Sequence, residues 1–180
     1  MVPILATPRL RLRPATTDDI DALWQLLTLP EVRLYLCDNV ILPRAFVVGL
    51  LDRAAAAAPH GLGLGLWVAE RAGAMIGLAA LQTVPPVLTD LIPGLQDEIE
   101  PTIALAPQHW GQGLASEALA ALLRHGFATL ALPHITAIAD VPNTASDHML
   151  NRAGFRRTGE HQGVKYRVRT YCLDPRDWTG

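Results

Sequence analysis

Strand-like and helix-like patterns alternate along these 180 residues, and their order predicts an α/β (α+β) fold: one mixed sheet flanked by helices. Three observations carry that expectation. Apolar residues recur at helical spacing in four separate segments. Between those segments lie short apolar runs bounded by Gly, Pro and Asn, which read as strands. No internal repeat and no linker divides the chain, so residues 1–180 are expected to form a single domain.

Arg9 to Pro14 alternates Arg with Leu and predicts a strand. Thr16-Thr17-Asp18-Asp19 then offers capping oxygens to a helix whose Ile20, Leu23, Trp24 and Leu27 share one stripe, with Pro30 as its end. A short piece from Val32 to Leu36 precedes a second helix from about Pro43 to Ala58. Phe46, Val47, Leu50, Leu51 and Ala54 form its buried side, and Pro59-His60-Gly61 stops it. Leu64–Arg71 and Met75–Val84 predict a hairpin around Ala72-Gly73, and Pro85–Gln96 a long loop. A strand from about Glu98 to Ala106 runs into Gly111-Gln112-Gly113, which opens a helix carrying Leu114, Ala118, Leu119, Leu122, Leu123 and Phe127. After Pro133 come a strand at Ile135–Ala139 and a helix capped by Asn143-Thr144 and closed at Gly154. Two last strands follow, Phe155–His161 and Val164–Leu173.

Composition excludes several functions. The formal charge of −2 gives no basic excess for nucleic acid or an anionic membrane, and Arg9, Arg11 and Arg13 read as the solvated face of a strand. Cys37 and Cys172 are too few for a disulfide framework and lack metal-ligand spacing, which fits a reducing cytoplasm. No signal segment opens the sequence, and no apolar run approaches the roughly 20 residues that span a bilayer. A cytoplasmic location, with no nucleic-acid, membrane or metal partner, is the expectation.

The order strand, glycine turn, helix start aims several free main-chain N–H groups at one point, where the positive end of the helix dipole adds to them. That is a phosphate site. A nucleoside-triphosphate loop needs Gly-Lys-Ser/Thr, and this turn has no Lys. A dinucleotide site needs a third glycine where Ser116 stands, in an early βαβ unit. The pattern Gln/Arg-x-x-Gly-x-Gly/Ala is satisfied by Gln108-His109-Trp110-Gly111-Gln112-Gly113, followed by Ala115.

On these residues the chain resembles the GNAT superfamily of N-acetyltransferases, in particular the branch that includes the ribosomal-protein N-terminal acetyltransferases. Thr7 to Pro14 is similar to that branch's opening strand, Pro107 to Ala118 to its acyl-CoA loop, and Asn143-Thr144-Ala145-Ser146 with Ala153-Gly154-Phe155 to its later helix. Trp178 matches its terminal tryptophan. The resemblance covers nearly the whole chain and implies a mixed, mostly antiparallel central sheet of the GNAT acyltransferase type.

It also implies acetyl-CoA as cosubstrate, no metal, and a primary amine as acceptor, either a protein N-terminus or a small amine. A homodimer is left open. The CoA pyrophosphate would be held by Gln108, His109, Trp110, Gly111, Gln112, Gly113, Leu114, Ala115 and Ser116, and the pantetheine arm by main chain at Ile103, Ala104 and Leu105. Asn143 serves as a contact to that arm, as a helix cap, or as both. Glu100 is the candidate base that takes a proton from the amine, with Glu98 two residues earlier on the same face. Ser146 and Tyr171 are candidates for protonating the departing thiolate, and His109 and His134 are weaker candidates for a base. Two departures from the family pattern fall on the acceptor side. Glu-Ile-Gly-Tyr is here Glu100-Pro101-Thr102-Ile103, with a proline that implies an edge or bulge, and Arg167 stands where many relatives have an acid. The Pro85–Gln96 loop is placed to narrow the acceptor cleft. A non-catalytic acyl-CoA sensor or scaffold is the alternative function.

Overall fold

A computed structural model describes residues 2–57 and 63–180. The elements follow in the order β1 (Leu5–Ala6), β2 (Arg11–Pro14), α1 (Ile20–Thr28), α2 (Pro30–Leu36), α3 (Arg44–Ala57), β3 (Gly65–Arg71), β4 (Ala74–Thr83) and α4 (Pro86–Thr89). They continue with β5 (Ile99–Leu105), α5 (Leu114–Arg124), β6 (Ile135–Asp140), α6 (Thr144–Arg152), β7 (Arg156–Gln162) and β8 (Arg167–Leu173). The expected helix stop at Pro59-His60-Gly61 lies outside the described residues.

Where one sheet was expected, the strands pair into two: a five-stranded sheet β1-β2-β3-β4-β5 and a three-stranded sheet β6-β8-β7. Every pairing in both is antiparallel. The start of β5 lies beside the start of β6, but no ladder joins them among the described residues. What unites the sheets is a shared core. Leu12, Trp67, Ala79, Leu81 and Leu105 of the first pack with Ile135, Ala137, Tyr171 and Leu173 of the second around Leu114, Ala118 and Leu122 of α5. The opposite face of the first sheet (Leu66, Val68, Leu78, Ala80, Ala104) is covered by Leu23, Leu26 and Leu27 of α1, Val32 of α2 and Val47 of α3. Covered on both faces, β3 and β4 have no solvent side, which is why their sequences are almost continuously apolar.

Three local features depart from the expectation. A two-residue strand, β1, pairs with β2, too short to show a period. Pro30 ends α1 but also begins α2, because the first position of a helix needs neither an N–H nor a φ other than proline's. The Pro85–Gln96 segment contains the single turn α4 and is anchored: Ile92 and Leu95 are buried with Val84 against Val168 and Ile138 of the second sheet.

The arginines of β2 are clamps. Arg13 forks onto both carboxylate oxygens of Asp19, at 2.7 and 2.8 Å, and reaches Glu70 at 2.7 Å, while Arg11 holds the other Glu70 oxygen at 2.8 Å. The guanidinium of Arg13 keeps the carboxyl of Asp19 below the usual range. At Gly77 the β4–β5 contact is so close that a Cβ would stand 2.2 Å from the Ala104 carbonyl oxygen. Gly77→Ala is therefore expected to cost about 1–3 kcal/mol, as overpacking does, read as a lower midpoint in urea unfolding with an unchanged slope.

Candidate active site

The turn after β5 owes its shape to two left-handed glycines, Gly111 (φ 70°) and Gly113 (φ 74°), the second of which caps α5. A Cβ at Gly111 would meet no atom within 4 Å, so the glycine is required by its dihedral and not by crowding within the chain. No side chain caps α5, and its first internal bond is Glu117 N–H to the Gly113 carbonyl at 3.1 Å. Consecutive N–H groups from Gly111 to Ser116 donate to no described main-chain acceptor. Half-exposed Trp110 lies beside them, its Nε1 donating to the Leu105 carbonyl at 2.6 Å.

A strap from the β1–β2 corner fixes this turn. Glu117, in the first turn of α5, accepts from Thr7 Oγ1 (2.6 Å), the Arg9 N–H (2.8 Å) and Arg9 Nε (2.6 Å). Burial raises the Glu117 carboxyl, but these donors outweigh it and hold the group below its usual range, so the charge is matched in place. Arg9 also donates to the Gln112 carbonyl at 2.9 Å. Because carbonyl and following N–H point oppositely across a peptide plane, that bond turns the Gly113 N–H away from Arg9. On its other side, the Gln112 side chain accepts from Arg71 at 2.7 Å and donates to the Gln108 carbonyl at 3.1 Å. The arginines read as a solvated strand face thus include one, Arg9, that shapes the glycine turn. Its partner is 108 positions away, and nothing in local spacing signals such a pair; only the acid in the first helical turn hints that a cation answers it.

β5 brings its free edge to the same place. Val84 N–H to Glu98 carbonyl and Ala106 N–H to Ile76 carbonyl fix the alternation, so even-numbered residues bond to β4 and odd-numbered ones face away. Main-chain groups of Ile103 and Leu105 therefore point to the edge that no strand covers, while those of Ala104 are used in the ladder. Pro101 also falls on the open edge. Its missing N–H removes nothing from the pairing with β4, which continues through it.

Glu98 and Glu100 share a face of β5, as the alternation requires, yet differ in kind. Glu98 receives His134 Nε2 at 2.8 Å and the Thr136 hydroxyl, and lines an open cleft of about 340 Å³ with His161 and Thr170. His134 is taken up by that tie. Glu100 is 8% exposed, makes no ion pair or hydrogen bond with a described residue, and burial alone pushes its carboxyl up to about 8.

On α6, Asn143 is the cap, its Oδ1 accepting the Ser146 N–H at 3.2 Å. Ser146 is half-buried in the first helical turn, and its hydroxyl bonds to no described residue. Tyr171 is buried at 1% exposure on β8, where its hydroxyl donates to Asp147 of α6; burial and that carboxylate push it up to about 12. Half-buried His109 ends a single turn of 3-10 helix before Trp110, and its side chain makes no hydrogen bond with a described residue. Trp178 packs on Phe127, ring centroids 5.7 Å apart. Among the described residues no three His, Cys, Asp or Glu side chains gather as a metal site, and no helix is long and apolar enough to cross a membrane.

Comparison with known proteins agrees with this geometry. Residues 9–156 match the model of the acetyltransferase (GNAT) domain. The chain is 27% identical over 181 residues to the uncharacterized N-acetyltransferase YoaA of Bacillus subtilis, covering 96% of this chain and 97% of that one. Among solved structures it is similar to RimL, the ribosomal L7/L12 alpha-N-protein acetyltransferase, in complex with coenzyme A: TM-score 0.75, 19% identity, 96% of this chain and 98% of that one. The spermidine N-acetyltransferase of Vibrio cholerae, in complex with CoA and spermine, superposes with a TM-score of 0.74 at 20% identity over 97% of this chain and all of that one. With a family match over most of its length, a full-length relative and the same fold in solved acetyltransferases, this chain belongs to the GNAT acetyltransferase family.

Proposed function

We propose that the protein transfers an acetyl group from acetyl-CoA to a primary amine, by direct attack in a ternary complex and without a metal. The reading rests on the run of partnerless N–H groups from Gly111 to Ser116 at the start of α5, beside the uncovered edge of β5. Free donors on a glycine turn that runs into a helix N-terminus suit a diphosphate, and no atom of the chain lies within 4 Å of where a Gly111 Cβ would stand. Arg71, on the Gln112 side chain and in no salt bridge with a described residue, adds positive charge beside the turn, while Arg9, matched by Glu117, holds its shape. Main chain at Ile103 and Leu105 is free to pair with the amides of the pantetheine arm, with Ala104 holding that strand to β4.

Acetyl-CoA supplies the activated acyl group as a thioester; the protein must supply a neutral amine. At pH 7 a lysine-like amine costs about 4.6 kcal/mol to deprotonate and a protein α-amine about 1 to 1.4. Glu100 is the base. Its lack of partners leaves the carboxylate free to take a proton, directly or through water, and its raised pKa suits an operating pH near neutrality. Ser146 is the group that meets the departing sulfur, because its hydroxyl is uncommitted; Tyr171 donates its proton to Asp147 and is made a weaker acid by it. The acceptor is a protein N-terminus or a small amine, the two classes acted on by the relatives named above.

Gly113→Val is expected to abolish the heat of acetyl-CoA binding in calorimetry while the far-ultraviolet dichroism stays that of the folded protein, since only the cap dihedral is lost. Glu100→Gln is expected to bind acetyl-CoA as before but to release thiol with any amine at least about 100-fold more slowly. In the wild type the rate should rise with pH through about 8 as this carboxyl ionises. Stability runs the opposite way. The folded state holds the proton that the unfolded chain has already lost, so wild-type stability falls between the ordinary Glu value and about 8, and Glu100→Gln removes that loss. Binding of acetyl-CoA without thiol release to any peptide or small amine would establish the sensor alternative instead.

A further inference from the structure

The hairpin that joins β3 to β4 turns in two residues, Ala72 (φ 50°) and Gly73 (φ 80°), with Arg71 and Ala74 as its last ladder pair. Positive φ at both central positions gives the tight turn whose twist fits a hairpin, so Arg71 is set at a defined place at the end of β3. From there its Nη1 donates to the Gln112 side-chain oxygen at 2.7 Å. Gln112 lies between the two left-handed glycines, and its amide nitrogen donates onward to the Gln108 carbonyl at 3.1 Å. Two hydrogen bonds in series thus tie the guanidinium to the loop whose N–H groups, from Gly111 to Ser116, have no described main-chain acceptor.

The carboxylates around this hairpin are already engaged. Glu70, next to Arg71 in sequence, gives one oxygen to Arg11 at 2.8 Å and the other to Arg13 at 2.7 Å. Asp19 gives both of its oxygens to Arg13, and Glu117 accepts from Thr7 and Arg9. Arg9, Arg11 and Arg13 each have a carboxylate, whereas Arg71 forms no salt bridge with a described residue. The bond to Gln112 uses one of the five N–H donors of a guanidinium. A cation held at one corner, without a matching anion and beside a cluster of free N–H groups, is placed for a second anionic group on the ligand of that cluster. The diphosphate finds main-chain donors in the turn itself. A phosphate monoester, with close to two negative charges at pH 7, is the group that a fork of N–H donors matches.

We infer that Arg71 takes the 3′-phosphate of coenzyme A and makes the protein prefer the complete coenzyme to its dephospho form, with Gln112 as the positioning residue that aims the guanidinium. The inference rests on the acetyltransferase reading and deepens it by naming a specificity-determining side chain for the cosubstrate, 41 positions from Gln112 in the chain.

The test measures binding of CoA and of dephospho-CoA by calorimetry, and KM and kcat for acetyl-CoA by thiol release. The wild type should bind CoA at least about tenfold more tightly than dephospho-CoA, the size of one charge-assisted contact. Arg71→Gln should weaken CoA by about the same factor and leave dephospho-CoA within about twofold, which erases the preference. Its KM for acetyl-CoA should rise while kcat stays within about twofold, because the contact is remote from the thioester and only uniform binding is lost. Arg71→Lys should restore part of the preference, as a point charge without the fork. Gln112→Ala should reduce the preference by less than Arg71→Gln does. Arg53→Gln, which removes an exposed charge on α3, should change neither affinity. Equal weakening of both ligands in Arg71→Gln would overturn the inference and leave Arg71 as a brace of the turn. So would a CoA affinity unchanged within twofold, or a wild type that binds the two ligands alike. In that last case heat with CoA leaves the acetyltransferase reading standing, whereas no heat with either ligand refutes that reading itself.

Discussion

Main-chain polar groups withheld from the ladders are the constraint on which this molecule depends. A folded chain satisfies nearly all of its buried N–H and C=O groups, and two adjoining places in this one leave such groups open side by side. One is the edge of β5, where pairing stops short of β6; the other is the start of α5, where a left-handed glycine replaces a side-chain cap. Each alone is commonplace. Together they set a line of strand donors and acceptors running into a cluster of helix donors, a shape that suits a long ligand with amides at one end and phosphates at the other.

Keeping such a region open requires support from behind it. Thr7 and Arg9 grip Glu117, and Arg9 and Arg71 grip Gln112 from two sides, so the turn is braced by strands distant in sequence. The bracing also solves an electrostatic problem. A carboxylate in the first turn of α5 would repel an anionic ligand, but Glu117 is matched by Arg9 and contributes anchoring without leaving a free negative charge. A chain with a formal charge of −2 can therefore present a locally positive turn.

The far face is treated differently. Several carboxylates elsewhere are paired: Asp19 and Glu70 with Arg13, Glu98 with His134 and Thr136, Asp147 with Tyr171. Glu100 is buried with no partner among the described residues, and the Oδ2 of Asp140 is buried without a donor. Burial without a partner raises a carboxyl toward neutrality, and a raised, unengaged carboxyl is chemically available in a way that a salt-bridged one is not.

The sequence by itself determined the elements with strong local signals. Periodicity placed α1, α3, α5 and α6, the Ala72-Gly73 turn placed the β3–β4 hairpin, and the spacing from Gln108 to Gly113 singled out the turn and the family it resembles. It missed β1, which is too short to carry a period, and the helix that Pro30 begins, because proline is equally a stop and a start. Only the tertiary structure decided that the sheet divides between β5 and β6, that Glu98 is tied while Glu100 is free, and that Arg9 is a strap. It also put the Asp140 oxygen in a place without a donor. The reason is physical: helical spacing and turn chemistry act over a few residues, whereas pairing, burial and charge matching depend on what arrives from a hundred residues away.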